Sequence, residues 1–255
     1  MDIKIPYTPR KHQKFLHQQI DKHRWSVLVC HRRFGKTVCM INHLIKSALM
    51  CKEKNPRFAY IAPTFKQAKT IAWDYMKQFT DKIPHTKFNE TELRVDLPNG
   101  ARITLLGSDS PDGLRGIYLD GCVIDEYANV NSKLFPEIIR PALSDRKGYC
   151  VFIGTPAGMN NNFYELYQHA NGADDWFNYK AKASETKIVD EDELVKAKEV
   201  MGDKKYHQEF ECDWIANIEG AVYGDVVGKL DDDKQLSRVP YDPALPVSTA
   251  WDLGV

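Results

Sequence analysis

Four short stretches, SVLVC (Ser26–Cys30), FAYIA (Phe58–Ala62), GCVID (Gly121–Asp125) and YCVFIG (Tyr149–Gly154), are apolar at successive positions rather than at alternate ones. A strand with one face in water alternates polar and apolar residues, so runs of this kind belong to strands covered on both faces. Between them, Lys36–Met50, Lys66–Phe79 and Ser132–Leu143 repeat their apolar residues at helical spacing. Strand–helix alternation predicts an α/β fold with a mostly parallel central sheet flanked by helices. ELRVDL and ARITLL alternate and are joined by PNG (Pro98–Gly100), which predicts a β-hairpin added to that sheet.

A chain of 255 residues can bury one good core, and the pattern assigns it to residues 1–214. Residues 215–246 hold DDDK and three prolines with little apolar periodicity, so they read as a linker or extension. The last residues, 247–255 (VSTAWDLGV), read as the first strand of a second domain, cut short.

Lys+Arg and Asp+Glu are equal at 35 each, which argues against a basic coat over the whole surface. The distribution is uneven: residues 1–57 carry roughly +10 and residues 185–233 roughly −9, two surfaces suited to different partners unless, as is usual for an acidic run, the second is simply a solvated face. The six cysteines have no C-x-x-C spacing, and several lie in apolar runs. They read as reduced core thiols rather than a disulfide frame or zinc site. No apolar run approaches the ~20 residues of a membrane span and the N-terminus lacks the apolar centre of a signal peptide, so the expected compartment is cytoplasmic.

The first apolar run leads into HRRFGKT (His31–Thr37) and then into a helical segment. Strand, loop and helix in that order are what a phosphate-binding loop requires, with backbone N–H groups and a helix N-terminus facing the anion. Gly35 allows close backbone approach, Lys36 reaches the β and γ phosphates of ATP, and the Thr37 hydroxyl is offered to Mg2+. Cys30 stands where the usual pattern has its first glycine, which leaves a chance G-K-T before a helix as the alternative.

GCVIDEYANV weakens that alternative. An apolar strand ending in Asp125–Glu126 has the form of a Walker B strand, whose Asp orders the Mg2+ water shell while the Glu polarises the attacking water. Together the two elements predict a nucleotide hydrolase. Phosphoryl transfer spreads negative charge over the γ-phosphate, which gives the arginines of the loop a role: Arg32 or Arg33 can act in cis on the phosphates. Arg115, flanked by Gly113 and Gly116, can reach a neighbour's site. A surface ion pair is the bland alternative for Arg33 and Arg115. A helicase-type translocase needs a second RecA-like domain, and the stretch after Trp214 is too short for one. A nucleotide-binding adaptor has no use for Glu126 beside Asp125.

CHRRFGKT, LRG ahead of VIDEYA, the strand ending FIGTPAG and the closing WDLG, in this order, resemble the large terminase subunit of tailed bacteriophages, the motor that packages the viral genome. The resemblance implies a RecA-like P-loop ATPase domain, followed in the parent protein by an RNase H-like nuclease that cuts concatemeric DNA. It implies that Tyr7, Arg10 and Gln13 of YTPRKHQ recognise adenine, that Arg32 is the cis arginine and Arg115 the trans finger, and that Thr155 of GTP senses the γ-phosphate. It makes Asp252 the first metal-binding aspartate of the nuclease, with Mg2+ or Mn2+ as its metal. The implied partners are double-stranded viral DNA, the portal protein, the small terminase subunit and further copies of the chain in a ring. The implied location is the host cytoplasm, with transient docking at the portal vertex of the procapsid and no place in the mature virion.

Overall fold

A computed structural model of the chain describes residues 5–109, 114 and 116–215, with the single positions 230, 235, 244 and 248. Arg115, Asp252 and most of the expected linker lie outside the described residues. The chain divides into two units, Met1–Asn217 and Ile218–Val255.

In the first unit the four apolar runs are strands β1 (Trp25–Cys30), β2 (Arg57–Ala62), β6 (Gly121–Ile124) and β7 (Tyr149–Gly154). The hairpin is β4 (Arg94–Asp96) against β5 (Arg102–Gly107), antiparallel, with Arg94 opposite Thr104, and β5 joins the sheet by pairing parallel with β2. Two further strands were not evident in the sequence: β3 (Lys87–Asn89) pairs with β4, and β8 (Trp176–Ala181) pairs parallel with β1. The sheet order is β3-β4-β5-β2-β6-β7-β1-β8. Tyr60 faces Val123 across β2 and β6, and Val29 faces Gly154 across β1 and β7.

The central strands are almost wholly apolar because both of their faces are covered. Leu28, Tyr60, Val123, Val151 and Ile153 enter one core beneath helix α2 (Lys36–Met50), together with Leu16 and Ile20 of α1 (Lys11–Ile20). Val27, Val29, Ile61, Ile124 and Phe152 point to the opposite face and pack with Leu134, Ile139, Phe163 and Trp214. Ile41, Leu44 and Ile45 of α2 are fully buried, so truncating Leu44 to alanine costs about 2–5 kcal/mol.

The helix anticipated at Lys66–Phe79 runs from α3 (Phe65–Ala68) through a π-helical turn, Lys69–Trp73, into α4 (Asp74–Thr80). The one anticipated at Ser132–Leu143 is a π-helical segment, Leu134–Ile139, leading into the short α5 (Arg140–Ala142). Pro136 and Pro141 lie in this stretch and lack the N–H that a regular ladder needs. Beyond β7, α6 (Asn162–Ala170) is capped by the Asn161 side chain on the N–H groups of Phe163 and Tyr164, at 3.0 and 3.2 Å. α7 (Ala183–Thr186), α8 (Glu191–Met201) and α9 (Asp203–Phe210) follow β8. Among the described residues no helix is long and apolar enough to cross a membrane. All six cysteines are free thiols, and all but Cys51 are buried.

Candidate functional site

β1, β7 and β6 are parallel, adjacent and end on the same edge of the sheet. The loop His31–Gly35 leaves β1, Thr155 leaves β7, and Asp125–Glu126 leaves β6. Three segments widely separated in sequence therefore meet at the carboxyl ends of neighbouring strands, where open α/β sheets bind ligands.

The loop gets its shape from two left-handed residues, Arg33 at φ 71° and Gly35 at φ 87°. Only glycine adopts the latter freely, and a Cβ at Gly35 would come within 2.9 Å of Gln13 Nε2. Gly35 N-caps α2, which aims the first N–H groups of the helix into the loop. Lys36 Nζ folds back across the loop, donating to the carbonyls of Cys30 (2.9 Å) and His31 (3.3 Å). An ammonium held only by neutral carbonyls is ready to exchange them for an anion, because charge-assisted bonds are roughly twice as strong.

Both flanks of the loop are tied to distant chain. On one side Arg10 donates to the Phe34 carbonyl at 3.3 Å and Gln13 Nε2 to the Gly35 carbonyl at 3.2 Å, while Gln13 Oε1 accepts from the Arg10 N–H at 3.0 Å. Tyr7 lies further back: its hydroxyl meets His17 Nε2 at 3.0 Å and its ring packs edge-on to Phe79. On the other side the Arg32 N–H donates to the Glu209 carbonyl at 2.8 Å, and the Arg32 guanidinium pairs with the Glu209 carboxylate at 3.5 Å. Glu209 also pairs with Lys205 at 3.2 Å. Buried His31 bridges the loop to α7, with Nδ1 at 2.6 Å from the Arg32 carbonyl and Nε2 at 2.8 Å from Thr186 Oγ1. Arg33 is exposed.

The strand end opposite is sealed. Asp125 is buried; its Oδ1 accepts the Glu126 N–H at 2.9 Å and its Oδ2 accepts the Tyr60 hydroxyl. The Thr37 side chain lies close to the Tyr60 hydroxyl. Glu126 is left-handed at φ 47°, an unfavourable conformation for this residue that turns its side chain off the line of the strand. Burial pushes the Asp125 carboxyl up, against the Tyr60 hydrogen bond and the charge of Lys36. Glu126 is raised by burial and by the Asp125 charge, with Lys36 opposing. The two carboxyls thus lie near one ammonium, whose charge opposes the rise in both. Oxygen donors at Thr37 and Asp125 suit a hard divalent cation such as Mg2+.

At the end of β7, Thr155 is half-buried, and the carbonyl of the following Pro156 accepts from Gln208 Nε2 at 2.6 Å. Neighbouring residues of α9, Gln208 and Glu209, thus hold two different loops of the site. Neither was evident in the sequence, nor were His31 and Tyr60. Tyr60 alone left a signal, as the one hydroxyl inside FAYIA.

Among proteins of known identity, the large terminase subunits of Thermus phage G20c and Thermus virus P23-45 are each 31% identical to this chain over 126 residues, covering 42% of the chain and 26% of the relative. The match thus spans about a quarter of the length of these relatives. Among solved structures, the large terminase ATPase domain of Thermus phage P74-26 superposes with a TM-score of 0.69 at 21% identity, covering 82% of this chain and 95% of that one. The large terminase of a thermophilic bacteriophage, solved in complex with ADP, gives a TM-score of 0.70 at 15% identity over 81% of this chain and 54% of its own. Its complex with ATP-gamma-S gives 0.68 at 14%, over 81% and 53%. These structures share the RecA-like P-loop fold. Residues 29–224 match the family described as terminase large subunit, T4likevirus-type, N-terminal, and the chain accordingly belongs to the terminase large-subunit family as its N-terminal P-loop domain.

Proposed function

We propose that this chain hydrolyses ATP and that hydrolysis drives double-stranded DNA into a procapsid. The observation that carries the reading is the meeting, across the single intervening strand β7, of a lysine-bearing loop at a helix N-terminus with buried Asp125 and half-buried Glu126. Lys36 exchanges its carbonyl partners for the β and γ phosphates. Thr37 and Asp125 hold Mg2+, which screens the phosphate charge, and Glu126 takes the proton of the attacking water. Arg32 supplies charge to the γ-phosphate from within the subunit, with Arg33 beside it on the loop. Arg115, outside the described residues, is assigned to a neighbour's site, which makes the active form a homo-oligomer. Arg10 and Gln13, already on the loop, are assigned with Tyr7 to the base, and Thr155 to sensing the γ-phosphate. The large terminase of the thermophilic bacteriophage was solved with ADP and with ATP-gamma-S, which supports a nucleotide here.

For the parent protein we assign the portal and the small terminase subunit as partners in the host cytoplasm. We also assign a metal-dependent nuclease, using Mg2+ or Mn2+, whose first ligand is Asp252. The experiment that tests the core reading is phosphate release by the purified chain, measured against chain concentration with and without linear duplex DNA. Turnover that rises with concentration and DNA is the expected result. Nucleotide binding without turnover in any assembly would make the chain an adaptor.

A further inference from the structure

The buried run of β2 reads Phe58, Ala59, Tyr60, Ile61, Ala62, and every side-chain atom in it except one is hydrocarbon. The exception is the Tyr60 hydroxyl. A phenylalanine would fill the same volume without bringing a polar group into the core, where an unmatched hydroxyl is costly. The geometry shows what the hydroxyl meets. Tyr60 is paired with Val123 in register, and Asp125 lies two residues beyond Val123, on the same face of the sheet. The Asp125 N–H donates to the Ile61 carbonyl at 2.7 Å, which locks the two chains together at this level. The hydroxyl donates to Asp125 Oδ2, and the Thr37 side chain, in the first turn of α2, lies close by.

Those are the two oxygen donors assigned above to Mg2+. A carboxylate has about four acceptor positions. At Asp125 one is used by the Glu126 N–H and another by Tyr60, which fixes the rotation of the group and leaves the remaining lone pairs for a cation and its water. Tyr60 touches neither phosphate nor the reacting water in the reading above. We propose that Tyr60 is a positioning residue of the Mg2+ site, its hydroxyl fixing the Asp125 carboxylate so that this oxygen donor is aligned before the nucleotide brings the metal. The proposal rests on the ATP reading and deepens it: the metal-dependent part of nucleotide affinity is set by a side chain from β2, which belongs to neither the phosphate loop nor the Walker B strand.

The test is Tyr60→Phe, read as equilibrium binding of a fluorescent ATP analogue in EDTA and in excess MgCl2. In EDTA the variant matches the wild type, since Lys36 and the loop are untouched. The strengthening of binding by Mg2+ shrinks about 10-fold, the scale of one hydrogen bond to a charged group. Tyr149→Phe is the control, since it removes a hydroxyl that is buried, has no hydrogen-bond partner of standard geometry and lies on the strand next to β6; its Mg2+ response stays that of the wild type. In an Asp125→Asn background Tyr60→Phe has no further effect on the Mg2+ response, because its action runs through the carboxylate. An undiminished Mg2+ response in Tyr60→Phe, or full additivity with Asp125→Asn, overturns the proposal and leaves the ATP reading standing. Loss of folding by Tyr60→Phe while Tyr149→Phe folds makes the hydroxyl structural and also overturns it. Failure of the wild type to bind nucleotide in either buffer overturns the ATP reading, and the proposal with it.

Discussion

The phosphate loop and the end of β6 face each other across β7 and are built on opposite plans. The loop is held by hydrogen bonds on its rim: Arg10 and Gln13 from α1, Glu209 from α9, Thr186 through His31. Arg32 and Arg33 are exposed there, and Lys36 rests on two carbonyls. The end of β6 is held by burial, with Asp125 interior and fixed by Tyr60 and by the Glu126 N–H. The exposed bonds among these, from Arg10 and Arg32, are worth about 1 kcal/mol each and can be traded when an anion arrives. A buried carboxylate among fixed donors cannot rearrange cheaply. On the proposed function the difference divides the labour: the loop adapts to the nucleotide, and the strand end is preset for the chemistry.

The sharpest way to break that division is at Glu126. Glu126→Gln keeps the shape and removes the base, so turnover falls by about 10²–10⁴ while labelled ATP still binds. Near-normal phosphate release would show that the strand end does not supply the base. Next comes Lys36→Ala on the loop. Here affinity itself falls, by about 10- to 100-fold for the loss of a charge-assisted contact, and a filter-binding titration reads it. Unchanged affinity would place the phosphates elsewhere.

A third effect concerns the underside of the loop helix. His17 of α1 stacks on His43 of α2 with ring centres 5.3 Å apart, and burial, reinforced by Lys46, depresses the His17 imidazole to about 4. His43 is likewise lowered by burial and by His17. The unfolded chain takes up protons near 6.5 whereas the folded chain refuses them until about 4, so stability is complete above 6.5 and is lost as pH falls toward 4. Urea unfolding at pH 7 and pH 5 should differ by on the order of 2 kcal/mol, and a midpoint that does not move would show that the pair is not buried neutral. Smallest is Glu209→Gln. With the Arg32 side chain 59% exposed, the pair contributes at most about 1 kcal/mol, and the melting temperature should barely change. A large drop would mean the loop is as rigidly held as the strand end.

The same contrast governs what the sequence discloses. The covered strands and the hairpin were legible because double burial and turn chemistry are local patterns. So was the placement of Gly35 and Lys36, where loop gives way to helix, and of Asp125 and Glu126, where strand gives way to loop. β8 was not, because WFNYKA mixes polar residues into a strand whose side chains are only partly covered before Ala181. Gln208 and Glu209 sit in a polar helix and reach the site only through the fold, which brings position 209 to position 32. Tyr60 was hidden differently, since one hydroxyl in an apolar run reads as ordinary core.

The strand order carries a last consequence. Neighbouring strands lie about 4.8 Å apart. With β7 alone between them, β1 and β6 are therefore about 10 Å apart, and that gap is set by backbone hydrogen bonds along the whole length of β7. The sheet works as a gauge block. Side chains at either end can be exchanged, but the space between the loop and the end of β6 is machined into the backbone. It changes only if β7 itself is displaced.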